Sequence, residues 1–175
     1  EFSDAYSNRN LALNYSSSHT KAEVYQFHKE FDHKFKRQPT GARITKQDEK
    51  PRVGYLSADL RRHSVAYFFY SLLKFHNQKE FDIFCYHNSN IEDDITEELK
   101  KIGTRWRSVK NLTDDQLRER IKTDCIDILI DLSGHTAGNR LAALTARVAP
   151  IQATWLGYPN TTGVSAFDFR ITDSN

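Results

Sequence analysis

From Pro51 onward, short runs of β-branched and aromatic residues alternate with stretches whose apolar residues recur at helical spacing. This alternation limits the fold more than any other feature, because it is the pattern of βαβ units, and parallel strands can be joined only by a long crossover. The expected strands are Arg52 to Ser57, Phe81 to Tyr86, Trp106 to Val109, Ile126 to Leu132, Ile151 to Trp155 and Phe169 to Thr172. Between the first two, Val65, Phe68, Phe69, Leu72 and Leu73 fall on one helix face, with Ser64 as the expected cap. Residues Asp94 to Ile102 predict a second helix, and Thr113 with Gln116 caps a third that turns Leu117 and Ile121 inward. Asn139 to Val148 predicts a fourth. The expected class is α/β, a mostly parallel sheet with flanking helices.

The chain before Pro51 reads differently. Thr20 and Glu23 form a capping box that opens a helix from Thr20 to Lys36, with Val24, Phe27, His28 and Phe31 on one face. Arg37 to Lys50 is polar, contains Pro and Gly, and has no apolar period. The expected organisation is a helical lead-in over 1–36, a linker over 37–50 and one α/β domain over 51–175. The chain holds 175 residues, close to the size of one domain, and contains no Met, so a piece of a longer protein is expected.

Charged residues make up 27% of the chain, yet the formal net charge is only +2, which argues against a nucleic-acid partner or an anionic membrane surface. No apolar run approaches the roughly 18 residues of a membrane span. Cys85 and Cys125 sit at or beside apolar segments far apart in sequence, as buried thiols do in a reducing, cytoplasmic compartment.

In open parallel sheets ligands bind beyond the carboxyl ends of the strands, so three loops carry the candidate chemistry. They are Ala58 to Ser64, Ser133 to Arg140 and Gly157 to Gly163. None has the glycine spacing of a dinucleotide or P-loop site, and the chain lacks nucleophile-elbow and zinc-ligand motifs. His63 follows Asp59 at i+4, which suits a carboxylate orienting an imidazole as general base; equally, Asp59 can cap backbone N–H groups while His63 opens the next helix. His135, between two glycines, reads as a packed turn residue before it reads as a ligand contact. Arg61 and Arg62 read as a solvated face. The remaining histidines, His19 and His28 among them, show no ligand spacing.

Arg52-Val53-Gly54-Tyr55-Leu56-Ser57-Ala58-Asp59 with Arg62-His63-Ser64 resembles the start of the catalytic region in O-linked N-acetylglucosaminyltransferases and their bacterial relatives. The resemblance continues through Asp127 to Thr136, Ala149 to Pro159 and Asp168 to Asp173, in order, over nearly everything after residue 50. It implies tetratricopeptide repeats followed by two Rossmann-like halves in the GT-B arrangement, this chain being the first half and the second binding the donor nucleotide. The implied reaction is inverting transfer of N-acetylglucosamine from UDP-GlcNAc to Ser or Thr hydroxyls of proteins, with no metal or other cofactor. Protein acceptors would be presented by the repeats. By the same resemblance His63 and Asp59 are the catalytic pair, Leu156, Gly157 and Pro159 pack on the sugar, and Ser64 and Val65 face the donor. His135, Thr136 and Thr161, in the same loops, complete the substrate-binding candidates. Two departures stand out: Asn8 to Tyr15 offers no counterpart to a lead-in histidine of the animal enzymes, and Asn160 stands where glycine is usual after the proline. Two other functions compete with this one, a fucosyltransferase using a GDP-sugar, as in plant relatives, and a non-catalytic scaffold beside the repeats.

Overall fold

A computed structural model describes residues 2–39 and 49–173; most of the expected linker, residues 40–48, lies outside them. Two helices, α1 (Ser3–Leu13) and α2 (Lys21–Phe35), precede the sheet domain. The domain then runs β1 (Arg52–Ser57), α3 (Ser64–Phe75), β2 (Asp82–His87), α4 (Asp94–Lys101), β3 (Arg105–Ser108) and α5 (Asp114–Thr123). It ends with β4 (Ile128–Asp131), α6 (Leu141–Leu144), β5 (Ile151–Trp155) and β6 (Phe169–Ile171). Every pairing is parallel, in the order β3-β2-β1-β4-β5-β6.

The strands alternate between two cores. Val53 and Tyr55 of β1 and Ile83 and Cys85 of β2 face α3 and α4, meeting Phe69, Leu73 and Leu99. Their neighbours Leu56, Phe84 and Tyr86 face the other layer, meeting Leu117 and Ile121 of α5. Both sheet faces are therefore covered, which explains why the strands read as continuous apolar runs. Gly54 is required on the second face, because a Cβ there would lie 2.9 Å from the Tyr86 ring. The chain leaves β1 toward β2 on one side and resumes at β4 on the other, so the strand order reverses between β1 and β4. That reversal opens the crevice.

Three local expectations are corrected. The cap of α3 is His63, whose side chain accepts from the Val65 N–H, and Ser64 is instead the first helical residue. On α3 the buried positions are Val65, Ala66, Phe69 and Leu73, while Phe68 and Leu72 remain 66% and 38% exposed. The fourth expected helix shrinks to Leu141–Leu144. Its start is held non-helical by Asn139, whose side chain donates to the Thr136 carbonyl and accepts from the Leu141 N–H. Its end is closed by Gln152, which accepts from the Val148 N–H.

The lead-in docks on the domain. The capping boxes at Thr20 and Thr113 form as expected, and Phe31 of α2 packs with Leu141, Val164 and Ala166. Helix α1 has no apolar stripe to betray it; the residues it buries are Ser7 and Asn10, so it is held by polar contacts that hydrophobic periodicity does not register. Cys85 is buried, which pushes its thiol up to about 12, whereas Cys125 is only half-buried. Among the described residues, no helix is long and apolar enough to cross a membrane.

Candidate functional site

The loop after β1 begins with Ser57, whose hydroxyl accepts from the Asp59 N–H at 2.9 Å, turning the chain sharply at the strand end. The Asp59 carboxylate, largely buried, faces the Arg61 guanidinium at 3.4 Å and His63 Nδ1 at 3.9 Å. The second distance exceeds a hydrogen bond. His63 Nδ1 instead accepts from the Val65 N–H at 3.3 Å, which places the proton of the neutral ring on Nε2. Carboxylate and imidazole are thus brought together as the i, i+4 spacing suggests, but the helix N-terminus holds the nitrogen nearest the carboxylate.

The loop after β4 is organised from below. Asp131 is fully buried; its carboxylate accepts from the Ser133 and Gly134 N–H groups and the Thr154 hydroxyl. Burial outweighs those bonds and pushes its carboxyl up to about 6. Asn88, at the end of β2, braces the same loop by donating to the Gly138 carbonyl at 2.8 Å while its own carbonyl accepts from Arg140 at 3.1 Å. Arg140 also reaches Asp114 and the Val109 and Leu112 carbonyls. The sequence places Asp131 and Arg140 in the candidate motifs but gives no role for either, and nothing in it marks Asn88; a lone carboxylate ending an apolar strand was the available signal for the first.

These loops enclose a crevice of about 410 Å³ that touches Asp59, Arg61, His63, Ser89, Lys110 and Thr136. It lies at the β1/β4 reversal, and it unites the expected Asp59, His63 and Thr136. Arg61 is not a solvated residue: its guanidinium is half-buried and its Nε has no partner among the described residues. Arg62 does reach solvent, paired with Asp94 at 2.6 Å.

A second cavity, of about 360 Å³, lies between the lead-in and the loop after β5, and brings Pro159 and Asn160 against Leu13, Asn14, His19 and Lys21. His19 is exposed, in keeping with a surface residue, and lines this cavity together with Pro159. Leu156 adopts φ +73°, an uncommon conformation for a non-glycine residue. Gly157 packs so closely that a Cβ would lie 1.9 Å from the Leu132 carbonyl oxygen.

Two expected substrate contacts are displaced by burial. Val65 points into the core and is 5% exposed, its N–H already bonded to His63. His135 is fully buried beneath the lead-in: Nε2–H donates to the Thr162 carbonyl at 2.9 Å, the Ser7 hydroxyl donates to Nδ1 at 3.1 Å, and Asn10 lies 3.3 Å away. Burial pulls its pKa down to about 4, keeping the ring neutral. Ser64 is exposed as the first residue of α3, next to His63, and Thr161 is half-buried in the loop after β5.

Residues 17–175 match the glycosyl transferase family 41. The chain is 36% identical over 98% of its length to the probable UDP-N-acetylglucosamine–peptide N-acetylglucosaminyltransferase SPINDLY of Solanum lycopersicum, and 38% identical over the same share to that of Oryza sativa subsp. japonica. It spans only 19% of either relative. A solved Thermobaculum terrenum O-GlcNAc transferase mutant superposes on 99% of the chain with a TM-score of 0.92 at 33% identity, and the chain covers 34% of that structure. The parallel sheet, the crevice at its reversal and these similarities together place the chain in glycosyl transferase family 41.

Proposed function

We propose that the chain is the N-terminal half of the catalytic region of a cytoplasmic protein O-glycosyltransferase that transfers N-acetylglucosamine from UDP-GlcNAc to Ser or Thr hydroxyls. The observation that carries this reading is the crevice at the β1/β4 reversal, where His63, Asp59 and Thr136 line one opening in a chain related to SPINDLY proteins and an O-GlcNAc transferase. In the proposed GT-B arrangement the second half supplies the nucleotide site, tetratricopeptide repeats present the protein acceptor, and the lead-in connects them to the sheet domain.

The acceptor hydroxyl oxygen attacks the anomeric carbon, the bond to the nucleoside diphosphate breaks, and the configuration inverts. His63 meets the acceptor. Its Nε2–H, left available by the cap on Nδ1, donates to a substrate oxygen. The one ring nitrogen able to take up the acceptor's proton is Nδ1, so the ring must first turn Nδ1 from the Val65 N–H toward the acceptor; the imidazolium formed then has Asp59, 3.9 Å from Nδ1 in this structure, as its electrostatic partner. Ser64 faces the donor at the mouth of α3, and Leu156, Gly157, Pro159 and Thr161 form the sugar-facing side.

The test is incubation of the full-length protein with a protein acceptor and either UDP-GlcNAc or GDP-fucose, read by intact mass. A mass increment of one N-acetylhexosamine is expected. A deoxyhexose increment would move the donor to GDP-fucose, and no increment from either donor would favour a scaffold. The isolated 175-residue chain, which has one half of the proposed cleft, should transfer nothing.

A further inference from the structure

Resting on that reading, we propose that Asn14, at the end of α1, is a positioning residue that sets the loop carrying Pro159 and Thr161. The loop starts from a strained backbone and needs support from outside. It contains Leu156 at φ +73° and a glycine pressed against the Leu132 carbonyl, conformations that persist only where the surroundings over-determine them. Arg170 supports the loop by donating to the Pro159 carbonyl at 2.7 Å, His135 by donating to that of Thr162, and Asn14 joins the two residues that flank Pro159. Its Nδ2 donates to Tyr158 Oη at 2.8 Å, and its Oδ1 accepts from Asn160 Nδ2 at 2.9 Å, so one side chain grips the residues on both sides of Pro159. The chain of bonds goes one step further, because Asn160 Oδ1 accepts from the Thr161 N–H at 2.7 Å. Asn14 therefore fixes the orientation of the Asn160 amide, and that amide occupies the Thr161 N–H. Behind it the Tyr158 hydroxyl shares its one proton between two acceptors, His28 Nε2 at 2.6 Å and the Asn10 carbonyl at 3.0 Å, since His28 Nδ1–H donates to the Val24 carbonyl, so the grip is tied to both lead-in helices. Asn160, the departure from the glycine of the family pattern, supplies the side chain that Asn14 holds.

Asn14 touches no reacting atom in this assignment, and its effect passes through Asn160 and Tyr158. In the full-length protein, Asn14→Ala should lower kcat/KM for the sugar nucleotide about 10- to 100-fold, the scale on which small misplacements act. The Thr161 amide should exchange hydrogen about tenfold faster. Asn14→Asp retains the acceptor for Asn160 Nδ2, so it should recover part of both losses. Asn14 also donates to the Asn10 and Leu11 carbonyls, so Asn160→Ala, which leaves the end of α1 intact, should reproduce the kinetic loss. Wild-type kcat/KM in Asn14→Ala overturns the proposal. So does a loss that tracks the unfolded fraction, or one that Asn160→Ala does not share. If the wild-type protein transfers no sugar, the proposed function fails separately, and the grip stands or falls on whether Thr161 exchange rises in Asn14→Ala.

Discussion

His63 and His135 occupy equivalent places in the topology, each in a loop that leaves the carboxyl end of a strand flanking the β1/β4 reversal. Their surroundings are opposite. The His63 side chain is 39% exposed, caps a helix with Nδ1 and lines the crevice. His135 is sealed, with Ser7, Asn10 and Thr162 around both ring nitrogens and the rings of His28, Phe31 and Tyr158 packed on it. The difference comes from the lead-in, which covers the β4 and β5 loops and leaves the β1 loop open. A strand-end position nominates a residue for chemistry, and what lies over it decides.

The sealed side responds most strongly to substitution. Gly134 holds φ +54° next to His135, and a Cβ there would lie 2.2 Å from Tyr158 Cβ. Gly134→Ala should therefore destabilise the protein by more than about 4 kcal/mol, seen as a collapsed urea midpoint. A midpoint near wild type would mean that the Tyr158 ring is not packed as described. On the open side, His63→Ala in the full-length protein should cut transfer roughly 10²- to 10⁴-fold, the range for a positioned acid or base. It removes a cap, so a stability loss of about 1 kcal/mol accompanies it. Full activity in this variant would leave His63 as a helix cap only.

Acid sharpens the contrast. Burial holds His135 near 4 in the folded protein against an ordinary 6.5, so the unfolded chain takes up its proton first. Its contribution is complete above pH 6.5 and is lost as pH falls toward 4, a swing of roughly 3 kcal/mol. Asp131 runs the other way: burial raises its carboxyl to about 6 from 3.8, so acid favours its folded form and masks the histidine in a single curve. The informative quantity is a difference. The stability gap between wild type and His135→Gln should narrow by roughly 3 kcal/mol between pH 7 and pH 4, and a gap independent of pH would contradict a buried neutral ring.

The sheet was legible because the strands are short β-branched or aromatic runs set between crossover helices that carry a helical period, and β5 falls where the residues place it. The capping boxes of α2 and α5 were legible for the same reason, since Thr20–Glu23 and Thr113–Gln116 are local. What sequence left unread is long-range and polar. Helix α1 buries Ser7 and Asn10, which carry no apolar signal, and so the cover over His135 was unseen. Phe68 and Leu72 fit the helix-face template yet lie beside the core, because the sheet contacts a narrower arc than the template allows. The crevice was half legible: Asp59, His63 and Thr136 follow from strand ends, whereas Ser89 and Lys110 arrive from loops without any motif.

The smallest expected effect belongs to Asp59. Its carboxylate is largely buried, but its one ion pair is long, Arg61 donating at 3.4 Å, and His63 lies 3.9 Å away. Asp59→Asn preserves the side-chain shape, keeps an acceptor for Arg61 and removes only the charge of a long pair whose partner is partly exposed, so stability should change by about 1 kcal/mol. Transfer should fall less than in His63→Ala, because the charge acts on a ring already oriented by the Val65 N–H. The decisive measurement is the double variant. If Asp59 acts through His63, Asp59→Asn costs nothing further in a His63→Ala background, since residues acting as a unit are not additive. A full additional loss there would mean that the carboxylate reaches the substrate independently, and the proton would then have a second destination in this crevice.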